Sequence, residues 1–160
     1  MHLLVLDFSK AFDTVRHAAL ASKLENIPLH DSIYNWIVNY LGSRMHCTKS
    51  NNIISSPLAT KASVIQGSAL SPIGFIITAS DLKATVQENK MLKYADDTYL
   101  IVPATNINTI TEEMDNIESW SKLNNLCLNR AKLTQMIISR NKRSVVIEPS
   151  RTPGIERVNT

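Results

Sequence analysis

Asp96 and Asp97 are adjacent carboxylates in the stretch Tyr94-Ala-Asp-Asp97, with Leu92 on one side and Tyr99-Leu-Ile-Val102 on the other. The flanks predict a β-hairpin with both acids at its tip, held rigidly and pushed out of the sheet. An Asp-Asp pair in a turn is commonplace, because Asp accepts turn geometry readily. A third acid far upstream gives this pair more weight. Leu3-Leu-Val-Leu6 is a short apolar run that stops abruptly at Asp7, the pattern of a buried strand with a carboxylate at its mouth. Hard divalent cations take oxygen ligands, and two of them about 3.5–4 Å apart clamp an in-line phosphoryl displacement. A strand-end Asp facing a hairpin Asp-Asp supplies what such a pair of ions requires. Alone, Asp7 reads more simply as an acid at a helix N-terminus; with the hairpin acids present, the metal reading overtakes it.

The elements that must position these acids follow from periodicity and breakers. Ser9 to Asn26 reads as one helix, with Phe12, Val15, Ala19 and Leu24 on one side, broken by Pro28. A second helix starts at Asp31 or Ser32 as N-cap. It carries Ile33, Trp36, Ile37, Tyr40 and Leu41 at i, i+3, i+4, i+7, i+8, and it ends at Gly42. Met45 to Ser50 and Leu58 to Ile65 read as two strands around the polar turn Asn51-Asn52. Ser71-Pro72 opens a third helix that runs to about Glu88, because Ser is a good N-cap and Pro is tolerated in the first turn. Pro103 stops the second strand of the Tyr94 hairpin. Thr109-Ile-Thr-Glu112 matches a capping box. In the helix that follows, Ile110, Met114, Ile117 and Trp120 or Ser121 face inward, and Glu112, Glu113, Asp115 and Glu118 face solvent. Leu126 to Leu128 and Leu133 to Ile138 read as closing strands. The order is strand, two helices, hairpin, helix, hairpin, helix, strand. It favours an α+β fold with an antiparallel sheet and helices packed on one face.

The chain has 160 residues, one domain in length, and 44% hydrophobic residues, enough for a core. No stretch approaches the roughly 18 apolar residues of a membrane span, and no secretory signal opens the chain. Cys47 and Cys127 are far apart, which fits a reduced compartment and core packing better than a disulfide or a zinc site. His2, His17, His30 and His46 show no metal-ligand spacing. The formal charge of +3 is uneven. Residues 1–121 carry nine Lys and Arg against twelve Asp and Glu, whereas residues 122–160 carry eight against two. A basic end is most often simply solvated. Beside an acidic part that holds the metal candidates, it also fits a surface for a nucleic-acid backbone.

Four segments, in order, resemble the reverse transcriptases of non-long-terminal-repeat (LINE-type) retrotransposons. They are Leu6-Asp-Phe-Ser-Lys-Ala-Phe-Asp-Thr-Val15, Gln66-Gly-Ser-Ala-Leu-Ser-Pro72, Tyr94-Ala-Asp-Asp97 and Asn124-Asn-Leu-Cys-Leu-Asn-Arg-Ala-Lys132. The resemblance covers residues 3 to about 138 and implies a polymerase palm with a ferredoxin-like antiparallel sheet. Residues 1–140 would be that palm, and 141–160 a basic tail approaching the primer-grip region. Ile65, Arg16 and Leu133 depart from the family's usual residues, and none of them is a proposed ligand.

What the resemblance implies can be set out residue by residue. Asp7, Asp96 and Asp97 would hold two Mg²⁺ ions, for which Mn²⁺ can substitute, with Asp7 and Asp96 the bridging ligands. Asp13 is instead a structural or surface acid. Phe8 and Phe12 would line the nucleotide pocket, Phe12 as a ring under the sugar that excludes a ribose 2′-OH. Gln66 and Gly67 would complete that pocket, with Gly67 allowing close backbone approach. Tyr94 would lie near the primer terminus. Lys132 would sit near the pyrophosphate leaving group as an acid or as electrostatic support; its plainer reading is a solvated lysine. Trp36 and Trp120 are read as core residues.

The implied partners are an RNA template, a DNA primer and deoxynucleoside triphosphates, with no membrane. The implied site of action is intracellular, and nuclear if the parent element uses target-primed synthesis. The fingers, the thumb and an endonuclease would belong to a larger polyprotein, and this stretch alone is expected to extend primers negligibly. The alternative is a non-catalytic or co-opted palm remnant that binds nucleic acid or protein.

Overall fold

The structure, a computed structural model, describes residues 1–65 and 67–139 in full and only the backbone of 156–158. Gln66, Arg140 and nearly all of the basic tail 141–160 lie outside the described residues.

The first strand, β1 (His2–Leu6), buries His2, Leu4 and Leu6 and leaves Leu3 and Val5 half-covered, the period-two pattern of a sheet with one covered face. It leads through β2 (Phe8–Ser9) into α1 (Ala11–Thr14) and α2 (His17–Leu24). One continuous helix was expected here. Instead the chain is extended at Val15 and Arg16, where Arg16 bridges Ala62. Ser63 and Val64 donate their N–H groups to the carbonyls of Val15 and Phe12, each at 2.9 Å. A neighbouring segment therefore takes the backbone groups that an unbroken helix would have used.

The next helix, α3 (Asp31–Gly42), is capped by His30, whose Nδ1 accepts from the Ser32 N–H at 3.3 Å; Asp31 and Ser32 lie inside its first turn. Leu41 is buried, and Ile37 and Tyr40 are half-buried. Trp36 is 56% exposed and stacks on Tyr40 at 5.7 Å, so it is not a core residue. A hairpin arm follows, built from β3 (Met45–His46), β4 (Lys49–Ser50), β5 (Ile53–Ile54) and β6 (Leu58–Ala59). Asn51 and Asn52 make its turn with φ of 44° and 65°. That matches the positive-φ pair of a type I′ hairpin, for which Asn is well suited. The return strand thus begins at Ile53, five residues before the expected Leu58.

Helix α4 (Leu70–Thr78) ends ten residues short of Glu88. Ser71 is not its cap: Ala69 holds that position, and the buried Ser71 hydroxyl donates to the Ile65 carbonyl. The segment 79–89 runs as irregular chain pinned from two sides. The Lys93 ammonium donates to the carbonyls of Ala79 and Leu82, and the Glu113 carboxylate accepts from Thr85, Val86 and Asn89. Glu113, expected to face solvent, is fully buried.

Strands β7 (Lys90–Tyr94) and β8 (Asp97–Val102) form the second hairpin, and Pro103 follows the last strand residue as expected. A 3-10 turn over Ala104–Thr109 runs directly into α5 (Ile110–Leu123). Thr109 is already helical there, and its hydroxyl donates to the Asn106 carbonyl, so the expected capping box does not form. The chain closes with β9 (Cys127–Leu128), a 3-10 turn at Arg130–Lys132, β10 (Thr134–Ile137) and β11 (Glu156–Val158).

The main sheet runs β11-β10-β1-β8-β7, antiparallel throughout except for the parallel β10/β11 pair. Leu4, Leu6, Leu100 and Val102 from the sheet join Leu20, Phe75, Ile117 and Trp120 from the helices in one core. Cys47 and Cys127 are free thiols, and both are exposed rather than packed inside. Among the described residues no helix is long and apolar enough to cross a membrane.

Candidate active site

The strand register brings the acids together. In the β1/β8 ladder Leu6 lies opposite Thr98, so Asp7 and Asp97 leave the same end of two central strands. The β7/β8 hairpin closes with Tyr94 opposite Asp97, leaving Ala95 and Asp96 as its two-residue loop. Ala95 takes a left-handed φ of 53°, a strained choice for a residue with a Cβ, costing about 1 kcal/mol. Asp96 is therefore presented by the loop itself, while Asp97 belongs to the ladder.

An open cleft of about 400 Å³ lies at this end of the sheet, lined by Asp7, Phe8, Ser9, Lys10, Ala11, Phe12, Asp96, Asn129 and Lys132. Asp7 and Asp96 thus face one space. Phe12 packs its ring on Phe75 at 5.5 Å, and Phe8 packs on Trp120 at 5.9 Å, so both cleft aromatics are fixed from behind by the core. Lys10 sits at the mouth of α1 with φ 51°, a second non-glycine residue in the left-handed region beside this cleft. Such strain persists only where the surroundings over-determine it, and it concentrates at functional sites.

Among the cleft side chains, the Asp7 carboxylate makes contacts of two kinds. Asn129 Nδ2 donates to its Oδ2 at 3.1 Å, and the Lys132 ammonium stands 3.4 Å from the same oxygen and 3.5 Å from Oδ1. The Asn129 N–H also donates to the Asp7 carbonyl at 2.8 Å. These contacts arise because β2 pairs with β9, Phe8 opposite Leu128, so the segment after β9 runs alongside Asp7. The ion pair is half in water, with Lys132 66% and Asp7 34% exposed, and contributes at most about 1 kcal/mol.

Asp97, Tyr94 and Gly67 do not line the cleft. Tyr94 is 80% exposed at the hairpin's end, and Gly67 holds a φ of 82° in the turn before α4 with open space around the position of a Cβ. Asp13 lies on the exposed side of α1. Among the described residues no three His, Cys, Asp or Glu side chains converge as a self-sufficient metal site. Two oxygen-donor acids on an open cleft still fit a Mg²⁺-like ion, which typically takes one or two protein carboxylates and fills its remaining positions with water and substrate phosphate.

The family model for "Reverse transcriptase (RNA-dependent DNA polymerase)" matches residues 1–152. The chain belongs to this family. Its reverse transcriptase relatives include the probable RNA-directed DNA polymerase from transposon BS of Drosophila melanogaster, 26% identical over 94% of this chain and 18% of that protein. The RNA-directed DNA polymerase from the mobile element jockey of the same organism is 29% identical over 79% of this chain and 15% of its own length. The chain thus spans less than a fifth of the curated relatives it matches. The mobile-element kinship read from the four motifs agrees with both.

Among solved structures, a Candida tropicalis telomerase in complex with a TWJ fragment of telomeric RNA matches with TM-score 0.68 and 15% identity, over 84% of this chain and 25% of that one. A Candida albicans telomerase, also with a TWJ fragment, gives TM-score 0.61 and 17% identity over 87% of this chain and 28% of that one. These likenesses establish a reverse-transcriptase palm-like α+β fold.

Asn129, Lys10 and Ser9 were missed as cleft residues when the sequence was read alone. Asn129 had a signal, its three-residue spacing from Lys132 within Leu-Asn-x-x-Lys. Lys10 and Ser9 had none beyond their nearness to Asp7.

Proposed function

We propose that this chain is the palm of an RNA-directed DNA polymerase from a LINE-type retrotransposon, acting on a primer, an RNA template and deoxynucleoside triphosphates. The observation that carries the reading is the shared cleft: three of the four sequence segments, distant along the chain, contribute Asp7, Phe12, Asp96 and Lys132 to one space. The order β10-β1-β8-β7 of antiparallel neighbours supports a ferredoxin-like arrangement for the sheet. Asp7 and Asp96 would hold two Mg²⁺ ions, with Asp97 beside them. Such ions, when bound, lower the pKa of an attacking hydroxyl and stabilise the charge of the leaving group.

The chain's own residues do the rest. Phe12, backed by Phe75, sets a rigid floor under the sugar of a bound nucleotide. Lys132 offers an ammonium 3.4 Å from Asp7 that can turn toward the triphosphate as an acid or as electrostatic support. Gly67, at a φ open to glycine, allows the backbone before α4 to approach the nucleotide, with Gln66 beside it in sequence. Tyr94, exposed beyond the hairpin, would lie near the primer terminus.

Titration of Mn²⁺ followed by electron paramagnetic resonance tests the reading. Binding that tightens when deoxynucleoside triphosphate is added, and that is lost in Asp7→Asn and Asp96→Asn, is expected. Binding unchanged in both variants would refute it. A palm that binds nucleic acid without catalysis is the second reading, favoured by the Lys132 ammonium already seated on Asp7. It predicts affinity for an RNA–DNA hybrid with no Mn²⁺ uptake.

A further inference from the structure

We infer that Asn129 is the positioning residue for Asp7, holding one carboxylate oxygen so that the other is offered to a cation, while Lys132 is the partner that gives way. The inference rests on the reading of Asp7 as a cation ligand.

A carboxylate at the end of a strand can rotate about two side-chain bonds, and its two oxygens then interchange. A ligand that must meet a metal at a fixed angle needs one of them pinned. Asn129 is built to do this. Its main chain is locked to Asp7 first: Phe8 pairs with Leu128, and the Asn129 N–H donates to the Asp7 carbonyl at 2.8 Å. The side chain then has a short reach, and its Nδ2 meets Asp7 Oδ2 at 3.1 Å. An ionised carboxylate only accepts, so the amide must turn its NH₂ toward it. Asn129 also precedes the 3-10 turn Arg130–Lys132, where its side chain would ordinarily cap the turn; it makes no cap bond.

Lys132 approaches the same carboxylate differently. Its ammonium stands 3.4 and 3.5 Å from the two oxygens, at the end of a flexible stem that is mostly exposed. A divalent cation arriving at Oδ1 would repel that ammonium directly. It would not repel the neutral amide, whose donated hydrogen bond to Oδ2 remains favourable with the metal in place. The two partners are therefore unequal. The amide orients the ligand in both states, and the lysine neutralises the carboxylate only until the cation comes, after which it is free to face the cleft. Partners of this kind, bonded to a metal ligand rather than to the metal, typically change metal affinity 10–100-fold when removed.

The test uses the 160-residue chain and Mn²⁺ alone, with binding read by electron paramagnetic resonance and folding by circular dichroism melts. Asn129→Ala is expected to weaken Mn²⁺ binding about 10–100-fold. Asn129→Gln, which keeps the amide donor on a longer stem, should recover part of that loss. Lys132→Ala should bind as tightly as the parent or more tightly. A merely structural role for Asn129 would lower the melting temperature and leave the affinity of the folded fraction unchanged, which overturns the inference. So does an Asn129→Ala affinity within about twofold of the parent while Asp7→Asn loses binding; the reading of Asp7 as a ligand survives in that case. Unchanged binding in Asp7→Asn defeats that reading and this inference together. If Asn129→Ala does not fold, Asn129→Leu, close to Asn in size and without a donor, carries the comparison, and an affinity equal to the parent's there overturns the inference.

Discussion

Glu113 is an ionisable side chain with no exposure, sitting on the helix behind the sheet and far in sequence from every residue it binds. Its Oε1 accepts from the Val86 N–H at 2.9 Å and from Asn89 Nδ2 at 2.9 Å; its Oε2 accepts from the Thr85 N–H at 3.0 Å and the Thr85 hydroxyl at 3.3 Å. Hydrogen bonds to a charged group contribute about 1.5–3 kcal/mol each, and a buried donor left without an acceptor costs about 1–3 kcal/mol. In Glu113→Gln the remaining oxygen can keep Val86, Asn89 and its own 3.1 Å contact with the Thr85 N–H, but an NH₂ then replaces the nearer acceptor of that N–H. One charge-assisted bond is lost and two donors meet, about 2–3 kcal/mol. Glu113→Ala strands two backbone N–H groups and one N–H of the Asn89 amide, whose Nδ2 keeps its bond to the Thr109 hydroxyl, for about 3–5 kcal/mol after partial hydration through exposed Thr85. At about 2–4 °C per kcal/mol for a domain of this size, the glutamine variant should melt roughly 5–10 °C lower and the alanine variant 10–15 °C lower. Glu112→Gln, one residue away on the exposed face, is the control and should stay within about 0.5 kcal/mol. Melts by circular dichroism measure this, and hydrogen exchange at the Val86 amide locates it. If Glu113→Gln and Glu112→Gln melt within about 2 °C of each other, the buried-latch reasoning is wrong.

Other expectations are simpler to check. Thr98 Oγ1 is buried with no hydrogen-bond partner among the described residues, so Thr98→Val should stabilise the chain by about 1–2 kcal/mol in urea unfolding, and a loss of stability would show that the hydroxyl has a partner after all. Burial pushes the Asp81 carboxyl up, but hydrogen bonds from Lys23 at 2.7 Å and the Trp120 indole at 2.9 Å outweigh this and hold it below the ordinary 3.8. The folded value being depressed, its stabilisation is complete above 3.8 and fades as the pH falls from there through the lower folded value; Asp81→Asn should flatten that part of the acid unfolding curve. Trp36 is 56% exposed and Trp120 9%, so acrylamide should quench the emission of Trp120→Phe far more strongly than that of Trp36→Phe. Equal quenching would contradict the placement of α3.

The sequence made the site more legible than the helices around it. Leu3 to Leu6 running into Asp7, and Tyr94 to Val102 folding back on itself, are local patterns whose meaning does not depend on distant partners. The strand ends where the pattern puts it, and the hairpin forms as expected, but only Asp96 lies in its loop; Asp97, expected at the tip as well, pairs with Tyr94 in the ladder. The misread parts all turn on contacts across the chain. Val15 and Arg16 leave the helix where Ser63 and Val64 claim the carbonyls of Val15 and Phe12. Helix α4 stops at Thr78 with no Gly or Pro to announce it, and the segment beyond is held by Lys93 and Glu113. Periodicity put Glu113 outside because it counts only the helix on which the residue lies. The pattern on α3 was real, yet only its Leu41 side found a fully covering neighbour, leaving Trp36 in solvent.

Ala95-Asp96 is a loop of two residues between strands whose side chains alternate from face to face. Which acid meets the cleft is therefore set by the loop, because Asp96 belongs to it and Asp97 to the ladder. Asp7 and Asp97 each lie one step beyond the Leu6–Thr98 rung, yet the cleft is lined by Asp7 and Asp96, so the two-residue count of the turn is what presents the second acid. Substitution along the strands preserves that count, whereas inserting or deleting one residue would either reshape the turn that presents Asp96 or slip the register and exchange the faces of the paired strand. Descendants of such a sequence can thus drift widely in residue identity between Lys90 and Val102 while the spacing stays frozen. The length of this hairpin is a stricter record of whether the site still works than the residues along its strands.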